Sequence, residues 1–383
     1  MLKILLLCLG CTWLIEQSHR HNPVQQIYWG RDRHYIHQPM DLYLLVGIFW
    51  LTCFAFLRTG YNDTGSYITG FQNAQSLRAG LASGEYFDWI ENPLSGLYRD
   101  LMRGITSNYH IYFLLPALVH SIVLMKFCKR YAVNPALTLM IYFSLGTYVM
   151  MFLAAFKQGM AMIILMLALP YAHDKKYGTY VLLVLLAMLF HFYAIVYLMV
   201  PLLFGKPWGK TTWLMLGITA GTLLTYNSTL GALMAYVDRM GGNIAAEELF
   251  DGHSINVLRV AVYWVPALLA FVFKRHVNHN STRMENLFVN MSMLCACILS
   301  IGLAEGANLY GRMAGYFEIA IAVAMPYIIQ KVFNKRSERW LSGVAAVMFL
   351  GYFCYEFTMS KNFDEMYRAI SLGQFLLELI GLR

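Results

Sequence analysis

The stretch K-K-Y-G-T-Y-V-L-L-V-L-L-A-M-L-F-H-F-Y-A-I-V-Y-L-M-V-P-L-L-F-G-K, residues 175–206, decides the fold. Between the lysines at its two ends His191 is the only ionisable group apart from tyrosines. The apolar part, 179–204, is a run of about 26 residues, and one membrane-spanning helix needs about 17–25. Basic clusters flank it on both sides, Lys175–Lys176 before and Lys206–Lys210 after. Lys and Arg collect in cytoplasmic loops, so both flanks belong on one side and the chain between them crosses an even number of times. Length argues for one crossing and charge for two. The conflict resolves if the stretch folds back on itself as two arms of about 12 residues, each reaching ~18 Å as an α-helix. The bend then falls near His191-Phe192-Tyr193, in the outer half of the membrane, where broken backbone is tolerated only inside protein or beside a watery cavity. The alternative is one straight span with one basic loop breaking the charge rule.

Composition agrees that the solvent is lipid. Of 383 residues, 58% are hydrophobic and 13% charged, against about 45–50% and about 25% in soluble domains; mean hydropathy is +0.51. A water-soluble globule cannot hide that much apolar surface. The runs are continuous rather than alternating, which excludes an outer-membrane barrel. The net charge of +8 reads as topology. No Lys/Arg tract, RNP or zinc pattern points to nucleic acid. Cys8 and Cys11 form a CxxC and Cys295 and Cys297 a CxC. Without a second ligand pair both read as buried apolar filler, and no metal is expected.

The expected fold is an all-α polytopic membrane protein with about 11–12 transmembrane helical segments. Candidate spans lie at 2–15, 41–57, 110–127, 135–154, 158–172, 179–204, 211–229, 256–273, 286–303, 310–331 and 340–357. The whole of 1–383 reads as a single transmembrane domain. Basic loops at 20–33, 126–130, 175–176, 206–210, 274–283 and 331–339 go to the cytoplasm. The stretch 58–109, with an amphipathic helix at 93–105, and the acid-rich loop 237–255 go outside. Residues 358–383 read as an amphipathic tail.

That orientation gathers polar residues on the outer side. Arg58, Asp63 and Tyr67 follow the second span, Glu91 lies further along the same loop, and Lys157 and Gln158 sit at a break between spans. His191 is at the bend. Asn308, Arg312 and Tyr316 are four apart, so a continuous helix places them on one face. Structural readings compete with functional ones. Arg58 and Lys157 suit interfacial anchoring, Asp63 an Asx-turn among Gly60, Asn62 and Gly65, and His191 a satisfied core histidine. Arg312 near a helix start opposes the dipole, which makes a structural role less comfortable. Glu318 lies in an apolar run, where an acid is either functional or paired with Arg259 or Lys157.

These segments carry a resemblance. R-T-G-Y-N-D-T-G-S-Y, 58–67, resembles the Arg–x–x–x–Gly–x–Asp–x–x–x–Tyr signature of EpsG-like proteins, the Wzy-type polymerases of bacterial exopolysaccharide and O-antigen. Arg58 and Gly60 stand closer here, while Asp63 and Tyr67 keep their spacing of four. E-N-P-L-S-G-L-Y, 91–98, resembles the family's Glu-Pro-x-Tyr element with Asn92 inserted. F-K-Q-G-M-A-M, 156–162, resembles Arg-Gln-x-x-Ala with Lys157 in place of Arg, so a planar fork becomes a point charge. L-A-M-L-F-H-F-Y-A-I, 186–195, resembles Ala-Ser-x-Phe-His-x-Ser-Ala, and N-L-Y-G-R-M-A-G-Y-F, 308–317, resembles Arg-x-x-x-Tyr-Phe. The five elements keep their order over roughly residues 40–330.

The resemblance implies a glycosyltransferase of the bacterial cytoplasmic (inner) membrane that joins undecaprenyl-diphosphate-linked oligosaccharide repeat units at its outer face. It implies membrane lipid, a flippase and a chain-length regulator as partners, and no cofactor. A diphosphate leaving group needs cations, for which Arg58, Lys157 and Arg312 are candidates, with Tyr67, Gln158 and Tyr316 beside them as substrate-binding groups. An acceptor hydroxyl needs a base, for which His191, Asp63 and Glu91 compete. A transporter or flippase of a lipid-linked glycan, and an O-antigen-type ligase, are the alternatives.

Overall fold

A computed structural model describes residues 2–23, 25–29, 32–37, 40–88, 92–226, 228, 253–359 and 366–382. In chain order the elements are α1 (Leu2–His21), a hairpin of β1 (Gln25–Trp29) and β2 (Asp32–His37), α2 (Leu42–Phe56), β3 (Arg58–Gly60), α3 (Thr64–Gln72), α4 (Leu77–Ser83), α5 (Pro93–Ile105), α6 (Tyr109–Tyr131), α7 (Pro135–Ser144), α8 (Phe156–His173), α9 (Tyr177–Met188) and α10 (Lys210–Leu224). Then follow α11 (Val257–Val272), α12 (Lys274–Asn278), α13 (Arg283–Ile301), α14 (Ala307–Gly315), α15 (Glu318–Val332), α16 (Lys335–Met359), β4 (Arg368–Ala369) and α17 (Leu372–Leu379).

The architecture is that of an all-α, multi-pass membrane protein. Large apolar side chains stand exposed along the helices: Leu42 and Phe49 on α2, Leu182 on α9, Leu214 on α10 and Val347 on α16. In water such surfaces would aggregate; in lipid they face their solvent. Helix α13 is buried over nearly its whole length and packs against α10, α11, α14 and α15.

The crossings are more broken than the hydropathy runs suggest. Among the described residues α6, α13 and α16 are each long and apolar enough to span alone. The expected span 135–154 is instead α7 plus the π-helical turn Tyr148–Ala154, bent by 57°, and 310–331 is α14 plus α15, also bent by 57°. Gly146 adopts φ +77° at the first break, a left-handed conformation that costs other residues energy. At the second break α14 ends on Gly315, so Asn308, Arg312 and Tyr316 do not share one continuous helix. Arg312 falls in the last turn of α14 rather than near a helix start. A cation there complements the helix dipole, which removes the discomfort noted from sequence.

The fold-back at His191 is present. Helix α9 stops at Met188, and a 3₁₀ helix, Phe192–Leu203, returns along it; the Tyr180 hydroxyl donates to the Tyr197 carbonyl across the pair. The returning arm is 3₁₀ rather than α. At about 2.0 Å per residue its 12 residues reach roughly 24 Å, further than the α-helical estimate. Both of its ends are satisfied. Phe192 N–H donates to Asn92 Oδ1 at 3.0 Å, and Asn290 Nδ2 donates to the Leu203 and Gly205 carbonyls at 2.7 Å each.

At the far end of α2 from Arg58, the expected basic loop 126–130 is the closing turn of α6. Lys129 there is buried, donating to Ser18 Oγ at 2.7 Å and Asp41 Oδ2 at 3.2 Å. The tail returns to the opposite end of α2. Strand β4 pairs antiparallel with β3, Tyr367 donates to the Phe54 carbonyl at 2.5 Å, and Phe375 packs on the Phe56 ring. No part of the sequence announced this docking. Of the loop 237–255 only residues 253–255 lie within the described residues. The cysteines of the CxxC and CxC, Cys8, Cys11, Cys295 and Cys297, are buried free thiols.

Candidate functional site

Arg58, which opens β3 just after α2, is wholly buried. Its guanidinium lies 4.0 Å from the Phe113 ring centroid and 5.5 Å from that of Phe156. Nη1 donates to the Ala55 carbonyl at 2.5 Å and Nε to Thr64 Oγ1 at 3.3 Å, while Nη2 has no partner among the described residues. A buried arginine does not snorkel; it fastens the turn 61–64. In that turn Thr64 Oγ1 donates to the Tyr61 carbonyl and Asn62 takes φ 45°. Asp63 follows, exposed, opening α3 without capping it.

Asp63 lines a cavity of about 190 Å³ together with Gln158, Arg259, Asn308 and Arg312. Two arginines on one small cavity have the chemistry to hold an anionic group, since guanidinium matches phosphate oxygens in pairs. Gln158, buried in the first turn of α8, fixes one wall: Nε2 donates to the Arg312 carbonyl at 2.7 Å. Among the described residues Arg312 forms no ion pair. Arg259 is partly matched, with Nη2 3.3 Å from Glu318 Oε1. Glu318 also accepts from Tyr263 at 2.6 Å and Thr147 at 2.6 Å. Of the two partners read for Glu318, Arg259 is therefore the one it takes, and the buried acid is paired and hydrogen-bonded as burial demands.

His191 and Tyr316 are brought together from 125 positions apart: the Tyr316 hydroxyl and His191 Nδ1 are 2.6 Å apart. The charges of Arg312 and Lys157 both act on that ring. Nε2 has no hydrogen-bond partner among the described residues. If Nδ1 carries the proton and donates to the Tyr316 oxygen, Nε2 presents a free lone pair. The backbone break beneath is closed from elsewhere: Leu94 N–H donates to the Leu189 carbonyl at 3.0 Å, beside the Asn92–Phe192 bond. The inserted Asn92, held at φ 57°, thus seals the bend next to His191. Removing its side chain leaves a backbone donor unmade where there is little water. Asn92→Ala is expected to cost about 1–3 kcal/mol, read as a lowered denaturation midpoint of the purified protein; an unchanged midpoint would show the seal to be incidental. Glu91 itself lies outside the described residues.

A second, larger cavity of about 590 Å³ is lined from α3, α5, α6 and α8 and by Ser83, Gly84, Glu85 and Asp88. Tyr67 lines it one turn after Asp63, and Lys157 one residue before Gln158. The Lys157 backbone lies against the Tyr67 hydroxyl. Its floor is a polar network on α5 and the turn Glu85–Phe87. Arg99 contacts Glu85 at 3.0 Å and Asp100 at 2.7 Å, Tyr86 donates to Asp100 at 2.6 Å, and Gln75 donates to Glu85 at 2.5 Å. Burial and the Asp100 carboxylate push the Tyr86 hydroxyl up to about 12, so it remains a donor at neutral pH.

The structure therefore gathers the predicted residues in three groups. Asp63, Gln158 and Arg312 share the basic cavity, Tyr67 and Lys157 the larger one, and His191 pairs with Tyr316; Arg58 lies behind the cavity walls. Arg259 was missed as a site residue. Its only signal was a lone arginine opening an apolar helix, V-L-R-V, weighed solely as a partner for Glu318.

Bent spans, a small cavity lined by two arginines, a larger polar cavity and a histidine–tyrosine pair are the polar features of this membrane-embedded protein. The chain matches the EpsG family over residues 41–370 and belongs to it. This is a Wzy-like polysaccharide polymerase family, so the general function is polysaccharide polymerisation of a glycosyltransferase-like kind, with a lipid-linked sugar as substrate. Neither the curated proteins nor the solved structures yield a match to this chain.

Proposed function

We propose that this chain joins undecaprenyl-diphosphate-linked oligosaccharide repeat units at the outer face of the bacterial cytoplasmic membrane. One observation carries the reading: Arg259, Arg312 and Gln158 share a cavity, and Arg312 stands four residues before Tyr316, whose hydroxyl meets His191. The donor diphosphate lies against the two guanidinium groups, which stabilise the negative charge that grows as it leaves. The acceptor hydroxyl attacks C1 of the donor sugar. A C1–O bond to the acceptor forms, the C1–O bond to phosphate breaks, and lipid diphosphate departs with the electron pair. The hydroxyl proton passes to His191 Nε2. Asp63 lines the same cavity and orients the acceptor; Arg58 supports it by holding the 61–64 turn. A flippase delivering the substrate and a chain-length regulator belong to this reading as partners.

Incubating the purified protein with the producing cells' lipid-linked repeat units tests the reaction. Longer lipid-linked chains are expected. Glycan on a different acceptor would make the protein a ligase, and movement across the bilayer without bond formation a transporter.

The outer-face assignment rests on charge parity around the hairpin. In a cysteine-free background, Lys176→Cys and Lys206→Cys are expected to label from the cytoplasmic side and Tyr193→Cys from the other. Labelling of positions 176 and 206 from opposite sides would sink the assignment, together with the outer placing of 58–109 and 237–255.

A further inference from the structure

We propose that the 590 Å³ cavity between α3 and α5 is the binding site for the sugar end of a lipid-linked repeat unit, separate from the cationic cavity that takes the diphosphate. The inference rests on the polymerase reading and deepens it.

The wall chemistry is that of a carbohydrate site rather than an anion or lipid site. Tyr67 offers aromatic surface; Tyr112 behind it, buried and stacked on Phe71 at 5.0 Å and on Tyr98 at 5.3 Å, makes that wall rigid. Glu85 and Asp88 offer carboxylate acceptors for sugar hydroxyls, and Arg99 and Lys157 offer donors. Both signs of charge are present, which suits a neutral polyhydroxyl ligand and disfavours a bare diphosphate. The acceptors are preorganised: Glu85 is fixed by Gln75 and Arg99 before any ligand arrives, which lowers the ordering cost of binding. The volume falls in the range of ligand pockets, about 300–1,000 Å³, whereas the basic cavity, about 190 Å³, is too small for an oligosaccharide. The two sites are adjacent by construction. Lys157 and Gln158 are consecutive, and Asp63 and Tyr67 are one turn apart, each pair contributing one residue to each cavity. A glycan in the larger site therefore lies next to the cavity proposed for the diphosphate, as attack on a donor C1 requires, the reacting atoms needing to come about 3–3.5 Å apart.

Gly70 gives a direct test. It lines the cavity on the same face of α3 as Ser66, and a side chain added there meets open space. A side chain at Gly70 leaves the backbone into open space on the cavity wall, so Gly70→Trp is expected to fill the cavity, and the helix gains from losing a glycine. Ser66→Trp is the second filler, and Gly104→Trp, on the exposed part of α5 and outside the cavity, is the control. The probe is the lipid-free oligosaccharide released by mild acid from the cells' lipid-linked repeat units, titrated against full-length protein in nanodiscs. Both fillers are expected to weaken its binding at least about tenfold, one order of magnitude being 1.4 kcal/mol, while Gly104→Trp binds as wild type. No binding to the wild type, or wild-type binding by both fillers, overturns the site.

Turnover distinguishes which glycan is held. If the fillers stop chain growth while donor diphosphate is still released to water, the acceptor glycan occupies the cavity; if donor release stops too, the donor glycan does. Filler-sensitive binding in a protein that never makes polymer would keep the site and remove the polymerase reading. Polymer formation indifferent to both fillers would do the reverse.

Discussion

Arg312→Lys is expected to insert and fold as wild type yet to lose about 10²–10³-fold in polymer formation, the usual cost of removing one preorganised donor from developing negative charge. The substitution keeps the positive charge and changes its shape. A guanidinium presents a planar fork to two phosphate oxygens, whereas an ammonium is a point charge. Arg312 is the sensitive position because the cavity is built around it: Gln158 holds its carbonyl, its place in the last turn of α14 suits a cation, and among the described residues no ion pair competes for it. Arg259 shares the cavity but also serves Glu318. Its truncation would strand a buried carboxylate and confuse folding with catalysis. Chain-length analysis of product, with the variant's membrane yield as the folding check, reads the outcome. Near-normal polymer from Arg312→Lys would remove the diphosphate from this arginine.

His191→Gln is expected to leave insertion and lipid-linked substrate binding intact and to lower polymerisation by about 10²–10⁴-fold, the contribution of a positioned general base. The sign of the pH dependence follows from the role. A base works deprotonated, so wild-type activity falls as pH drops through the apparent pKa of the group, and the variant lacks that limb. If His191 instead donates a hydrogen bond to diphosphate, with Asp63 or Glu91 as base, glutamine still donates, the loss is milder and the acid limb survives. In the base reading Tyr316, 2.6 Å from Nδ1, accepts from Nδ1–H and keeps Nε2 unprotonated, so Tyr316→Phe should reduce activity less than His191→Gln does while shifting the same limb. An acid limb unchanged in both variants would end the assignment of His191.

How much of this was legible in sequence depended on how local each determinant is. The hairpin at His191 was legible because charge parity and run length are properties of the chain itself. The pairing of Glu318 was half legible, because an acid in an apolar run must find a partner and only two cations were weighed. The breaks at Gly146 and after Gly315 were not, since glycine is frequent in transmembrane helices and does not by itself mark a break. Asn92 looked like an insertion in a motif; its purpose, accepting from Phe192 N–H, exists only once residues 100 positions apart meet. Arg58 looked interfacial and is buried, because β4 and Tyr367 from the far end of the chain close over its strand. Long-range contacts of that kind leave no periodic trace.

The most direct test of the account is the full-length protein in nanodiscs imaged with undecaprenyl diphosphate bound. The account predicts the diphosphate between the guanidinium groups of Arg259 and Arg312, beside Gln158, with His191 Nε2 facing the space where the first sugar would sit. A diphosphate seated instead against Lys129 and Asp41 at the other end of α2, or in the larger cavity beside Lys157, would contradict it.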